Sequence, residues 1–83
     1  MENRLSVISI IIEDNTAVGR VNELLHDFAA YIQGRLGLPC RHREHQVNVI
    51  CVVIDAPGDI TSSLSGKLGM LKGVSTKTVT SRV

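Results

Sequence analysis

The stretch from Gln46 to Ala56 constrains this chain more than any other. Val47, Val49, Ile50, Val52, Val53 and Ile54 crowd it with β-branched residues, which lose little in an extended chain and lose χ1 freedom in a helix. The run stops at Ala56-Pro57-Gly58-Asp59, a turn signal. Both alternating sets are apolar: Val47, Val49, Cys51 and Val53 on one face, Ile50, Val52 and Ile54 on the other. Such a strand is covered on both faces. One layer of helices covers one side, so the other is expected to meet a second chain.

Size supports the same expectation. At 83 residues the chain is one domain, near the limit where a single core supplies only a few kcal/mol of net stability. No disulfide or zinc-finger spacing staples it, which leaves oligomerisation as the expected support. A net charge of +1 argues against a general polyanion binder. Phe28 and Tyr31 are the only aromatics, so the stacking platforms of single-strand and RNA binders are missing. Cys40 and Cys51, in a chain without a signal peptide, read as reduced cytoplasmic thiols. No apolar run approaches a membrane span.

In chain order, Arg4 to Glu13 predicts a first strand with Ile8, Ile10 and Ile12 on one face and Val7, Ser9 and Ile11 on the other. Glu13-Asp14-Asn15-Thr16 supplies the acids and capping residues of a helix start. The helix is expected from about Thr16 to Gln33, with Val18, Val21, Leu25, Phe28 and Ile32 as its buried stripe and Gly34 as its left-handed terminator. Arg35 to Arg43 reads as an edge strand, because Pro39 cannot donate to a ladder. Glu44-His45 then turns the chain into the central strand. Asp59 is the expected cap of a second helix carrying Ile60, Leu64, Leu68 and Leu71, ending near Lys72 and Gly73. Val74 to Arg82 closes the chain as a second, charged edge strand.

Strand, helix, strand, strand, helix, strand is the βαββαβ order of the α+β, ferredoxin-like fold: a four-stranded antiparallel sheet with two helices on one face. Right-handed crossovers place the first and third strands in the centre, and these two are the most apolar. The face away from the helices is then an uncovered apolar surface.

Three segments together carry a family resemblance: Glu13-Asp14-Asn15 before the first helix, Gly34-Arg35-Leu36-Gly37-Leu38-Pro39 after it, and the run from Leu64 to Thr78 with its Gly73-Val74 step into a strand. The last resembles the ending of ACT domains. From Arg4 to Val79 the chain resembles the small iron-only hydrogenase system regulators, stand-alone ACT-like proteins similar in fold to the ligand-sensing domain of nickel-responsive regulators. The resemblance implies a non-enzymatic, small-ligand-responsive regulatory module, with an amino acid as the implied ligand class; the uncovered apolar face predicts a homodimer or homotetramer. It places the ligand at the first strand–helix junction, on Asp14, Asn15, Thr16, Ala17, Val18 and Gly19. Where an ACT loop follows its aspartate with Pro-Gly, Asp14 is followed by Asn15-Thr16-Ala17-Val18, and the nearest glycine is Gly19. The nickel regulators also carry a ribbon-helix-helix segment. Here only Met1-Glu2-Asn3 precedes the first strand, so contact with DNA is expected to need a protein partner.

Other chemistry is sparse. Cys40 and His42 share a strand face, and with His45 or Cys51 across the hairpin they offer a soft nitrogen–sulfur set for a metal ion; packing of the thiols as small hydrophobes is the plainer reading. Ser65-Gly66-Lys67 fails as a phosphate loop, since Thr61 stands where the first glycine is needed and Leu68 follows the lysine. Asp14, Asp55 and Asp59 read as helix-start residues, with no nucleophile–base pair in view. Lys67, Lys72, Lys77 and Arg82 read as helix-end and edge-strand charges rather than a docking patch. Three functions stay open: a ligand-responsive regulator, a metal sensor on the hairpin, and a purely structural interaction domain.

Overall fold

Alternation along the first strand decides the layering. In the computed structural model, which describes residues 2–83, β1 spans Arg4–Ile12 and buries Ser6, Ile8, Ile10 and Ile12 while Leu5, Val7 and Ile11 stay exposed. A 3₁₀ turn at Asn15–Ala17 leads into α1 (Val18–Asp27), and a second at Ala29–Tyr31 leads into β2 (Ile32–His42). Then come β3 (His45–Ala56), α2 (Gly58–Gly69) and β4 (Val74–Thr80). The strands pair in the order β2-β3-β1-β4, antiparallel throughout. The expected ferredoxin-like βαββαβ fold is present, with the two most apolar strands in the middle.

The core lies between the sheet and both helices. Ile8, Ile10 and Ile12 of β1 and Val52, Ile54 and Ala56 of β3 meet Val21, Leu24 and Leu25 of α1 and Leu64 and Leu68 of α2. All the strand residues in this set belong to one face, so the helices share that face. Burying each large side chain contributes roughly 1.5–3 kcal/mol. On the opposite face the register groups Leu5, Val7 and Ile11 with Val49, Val53, Leu36, Leu38 and Val79.

Several boundaries differ from expectation. The first helix stops at Asp27 rather than Gln33, because Phe28 leaves the helical basin (φ −103°, ψ 13°). Ile32, which lies on the helical stripe, instead pairs with Ile54, and a register shift between Ile32 and Gly34 absorbs the start of β2. Ile32 packs against the core in either conformation, and the strand pairing decides. The hairpin turn is Arg43–Glu44, flanked by the His42–His45 pair, and both turn residues have positive φ (50° and 65°), as a two-residue I′ turn requires. Pro57, not Asp59, stands at the cap position of α2, and Leu71 and Lys72 fall in the link to β4.

The β2–β3 hairpin outruns the sheet. Pairing of β1 with β3 ends at Ile12–Asn48, so Cys40–His42 and His45–Val47 pair only with each other. This arm helps give the molecule extents of 44 × 21 × 17 Å. Among the described residues no helix is long and apolar enough to cross a membrane.

Candidate functional site

The junction between β1 and α1 is built around Asp14. Its backbone is extended, and its Oδ1 accepts from the Thr16 amide at 3.0 Å and from the Thr16 hydroxyl at 2.7 Å. The Thr16 hydroxyl, then its amide, hold the Asp14 carboxyl below the ordinary carboxylate range, with a smaller contribution from Lys72. The Ala17 amide donates to the Asp14 carbonyl at 2.9 Å, and the Val18 amide to the Asn15 carbonyl. The amides of Thr16, Ala17 and Val18 are therefore used within the chain.

What the junction presents outward is a pair of side-chain amides. Asn48 Nδ2 donates to Asn15 Oδ1 at 3.1 Å, tying the junction to β3. Beside that pair lies a notch of about 160 Å³ whose walls include Ile12, Val18, Asn22, Gly37, Pro39 and Asn48. Of the six residues expected at the site, Asp14, Asn15 and Thr16 form the polar knot, Ala17 is buried, Val18 lines the notch, and Gly19 faces open space. Asn48, Gly37 and Pro39 were not among them. Only the β2–β3–β1 register brings them to the junction, and nothing local in the sequence marks that register.

Gly73 locks the junction from behind. It sits at φ +77°, and a Cβ there would fall 2.5 Å from the Asp14 Cβ and 3.1 Å from the Asp14 nitrogen. Its carbonyl accepts from the Glu13 amide at 2.8 Å. The residue expected only to end a helix thus also forms the floor under Asp14.

The hairpin divides the expected metal set. Cys40, His42 and His45 share the outer face of the arm, with His42 opposite His45 and Cys40 opposite Val47. Cys51 lies four residues along β3 from Val47, opposite Leu36, hence about 13 Å away at the rise of a strand. Distance therefore removes it from any shared coordination sphere. The Cys40 thiol donates to the Leu38 carbonyl at 3.7 Å. No group of three or more His, Cys, Asp or Glu side chains is placed to hold a metal ion among the described residues. Glu13, unforeseen from sequence, joins His42, Arg43, His45 and Val47 around a groove along the arm.

The face of the sheet away from the helices is uncovered. Leu36, Leu38 and Val79 are 61%, 53% and 71% exposed, and Leu5, Val7 and Ile11 between 38% and 46%. Cys51 and its neighbours Val47, Val49 and Val53 are half-buried on the same face. Of the two sets expected to alternate in β3, Val49, Cys51 and Val53 point outward and Val52 and Ile54 inward.

Comparison with known proteins agrees with this fold. A family model, TM1266-like, described as “Iron-only hydrogenase system regulator, putative”, matches residues 4–78. The solved structure of uncharacterized protein TM1266 from Thermotoga maritima is similar at 39% identity and TM-score 0.87, over 95% of this chain and 98% of that one. A nitrogen regulatory PII-like protein from Thiomonas intermedia K12, solved with ADP, AMP and bicarbonate, is similar at 15% identity and TM-score 0.50, over 94% of each chain. That second likeness concerns the fold alone. No curated protein matches the chain.

Proposed function

Because this chain belongs to the TM1266-like family, described as regulators of the iron-only hydrogenase system, we propose that it is a non-enzymatic regulatory module that works as a homo-oligomer and responds to a small ligand. The uncovered face of the sheet carries the proposal. Leu5, Val7, Ile11, Leu36, Leu38 and Val79 share this face across all four strands with Val49, Cys51 and Val53, and Ser9 and Lys77 lie among them. Large contiguous apolar surfaces on soluble proteins are covered in use. A second copy offers the same surface, and two such faces are self-complementary around a two-fold axis. The projecting arm supports the same occupant, since an isolated two-stranded ribbon is marginal in water.

The ligand reading rests on the notch beside Asn15 and Asn48. It is small enough for an amino-acid-sized molecule and has one apolar wall (Ile12, Val18, Pro39) and one polar edge (Asn22, Asn48). With the first-turn amides occupied, recognition falls to the side-chain amides, which can each donate and accept. Thermal-shift screening with amino acids is the test. A stabilising ligand should lose its effect when Asn15 and Thr16 are replaced by bulky residues, and an undiminished shift would move the site elsewhere. Light scattering tests the assembly: a dimer or tetramer is expected at micromolar concentration, and a stable monomer would overturn it. The localisation that goes with this function is cytoplasmic.

A further inference from the structure

On the helix side of the sheet, at the end remote from Asp14, a groove of about 660 Å³ runs between α2 and β4. Most of its lining residues carry hydroxyls, among them Ser6, Thr61, Ser62, Ser65, Thr78 and Thr80. Small residues on α2 leave the space unfilled, where large apolar side chains would have closed it. Several hydroxyls satisfy one another, Ser6 with Thr80 at 2.9 Å and Thr78 with Ser65 at 3.2 Å. Thr61 does not. Its residue is 5% exposed and lines the groove, yet its Oγ1 has no partner. A buried, unpaired hydroxyl is unfavourable unless something supplies its missing bond.

The rest of the lining says what that something is. At one end Gly58 opens α2 without any side-chain cap; the Ile60 and Thr61 amides donate to the Pro57 carbonyl, which leaves the Gly58 and Asp59 amides and the positive end of the helix dipole to face outward. Arg4 stands at the same end and uses one guanidinium nitrogen on the Ser81 carbonyl at 2.8 Å, which leaves further N–H groups to donate. No carboxylate lines the groove among the described residues. Asp59 lies in the first turn of α2 but outside the lining; Lys77 belongs to the lining, although the register puts its side chain on the opposite sheet face beside Ser9. The groove therefore has a surplus of donors, and a group that mainly accepts completes it.

We propose that the α2–β4 groove is a second binding site, for a phosphate-class oxyanion, held by Arg4, the amides opening α2 and the hydroxyls of Thr61 and Ser62. The site is independent of the assembly reading, because it lies on the helix side of the sheet. The oxyanion can be free phosphate or a phosphate ester, whose hydroxylated body would run along the Ser65–Thr78 seam.

Titration of the isotope-labelled full chain with inorganic phosphate, and separately with glycerol phosphate, followed by amide NMR, tests this. Saturable shifts are expected at Gly58, Ser62 and Thr78, and the probe that saturates at lower concentration names the source. Thr61→Val keeps the side-chain shape and removes the hydroxyl; it should weaken saturation about tenfold, the loss of one hydrogen bond to a charged group. Arg4→Gln should weaken it at least as much, with the amide spectrum of each variant confirming the fold. Unsaturable shifts, shifts matched by chloride at equal ionic strength, or an affinity unchanged in both variants would overturn the proposal.

Discussion

Asp14 and Gly73 sit 59 residues apart in the chain and meet so closely that no side chain fits between them. Gly73 combines positive φ with a Cβ position already occupied by Asp14, so Gly73→Ala suffers both a left-handed backbone and a clash. Chemical denaturation is expected to show a loss on the order of 1–3 kcal/mol. Asp14 itself makes stability depend on pH. Its hydrogen bonds to Thr16 lower its folded pKa, so the unfolded chain binds the proton more tightly. The contribution is complete above the ordinary carboxylate range and is lost as pH falls through the folded value. Asp14→Asn, which can still cap, should flatten the acid side of a Tm–pH curve and converge with the parent in strong acid. Gly19 is the converse case. It is exposed in α1 with nothing within 4 Å of an added Cβ, so Gly19→Ala should stabilise by about 0.5–1 kcal/mol in the same denaturation assay.

The elements show what could be read from sequence and what could not. Strand alternation was legible in β1 and β3 because Ile8, Ile10, Ile12 and Val52, Ile54 carry a period of two that no helix shares. The end of α1 was not, because Ile32 satisfies the helical stripe and the strand ladder equally, and pairing with Ile54 is a tertiary choice. The hairpin turn was displaced by one residue for a different reason. Arg43 and Glu44 adopt positive φ, a conformation that local sequence marks only when glycine, asparagine or aspartate occupies it. Glu44→Gly should relieve that conformation and raise stability by about 0.5–1 kcal/mol, provided the gain exceeds the entropy glycine adds to the unfolded chain. A lowered Tm would mean that the Glu44 side chain holds the arm in some other way. The Asp14 knot was legible as a capping sequence, whereas its Asn48 and Gly73 partners depend on sheet register and on a contact between the two halves of the chain.

For the molecule as a whole, the sequence indicated an uncovered apolar face, and the register specifies it. Val7 and Ile11 both point outward, alongside Val53 and Val49. Lysine at Val7 or Ile11 should therefore dissociate the assembly while leaving the core face intact, read as a fall in mass by light scattering with unchanged far-UV circular dichroism. Retention of the parental mass in both variants would show that copies meet elsewhere. The order β2-β3-β1-β4 has a further consequence, for the chain as it is being made. β1 is synthesised before both of its neighbours, yet the second of them, β4, follows only after β2, β3 and α2, and Ser6 must await Thr80. Until then one edge of the most apolar strand has no partner, the state most prone to pairing with other nascent chains. A chain truncated at Gly73 is expected to associate through that edge, and a soluble, folded truncate would contradict this. Completion of the native sheet thus waits on the synthesis of β4.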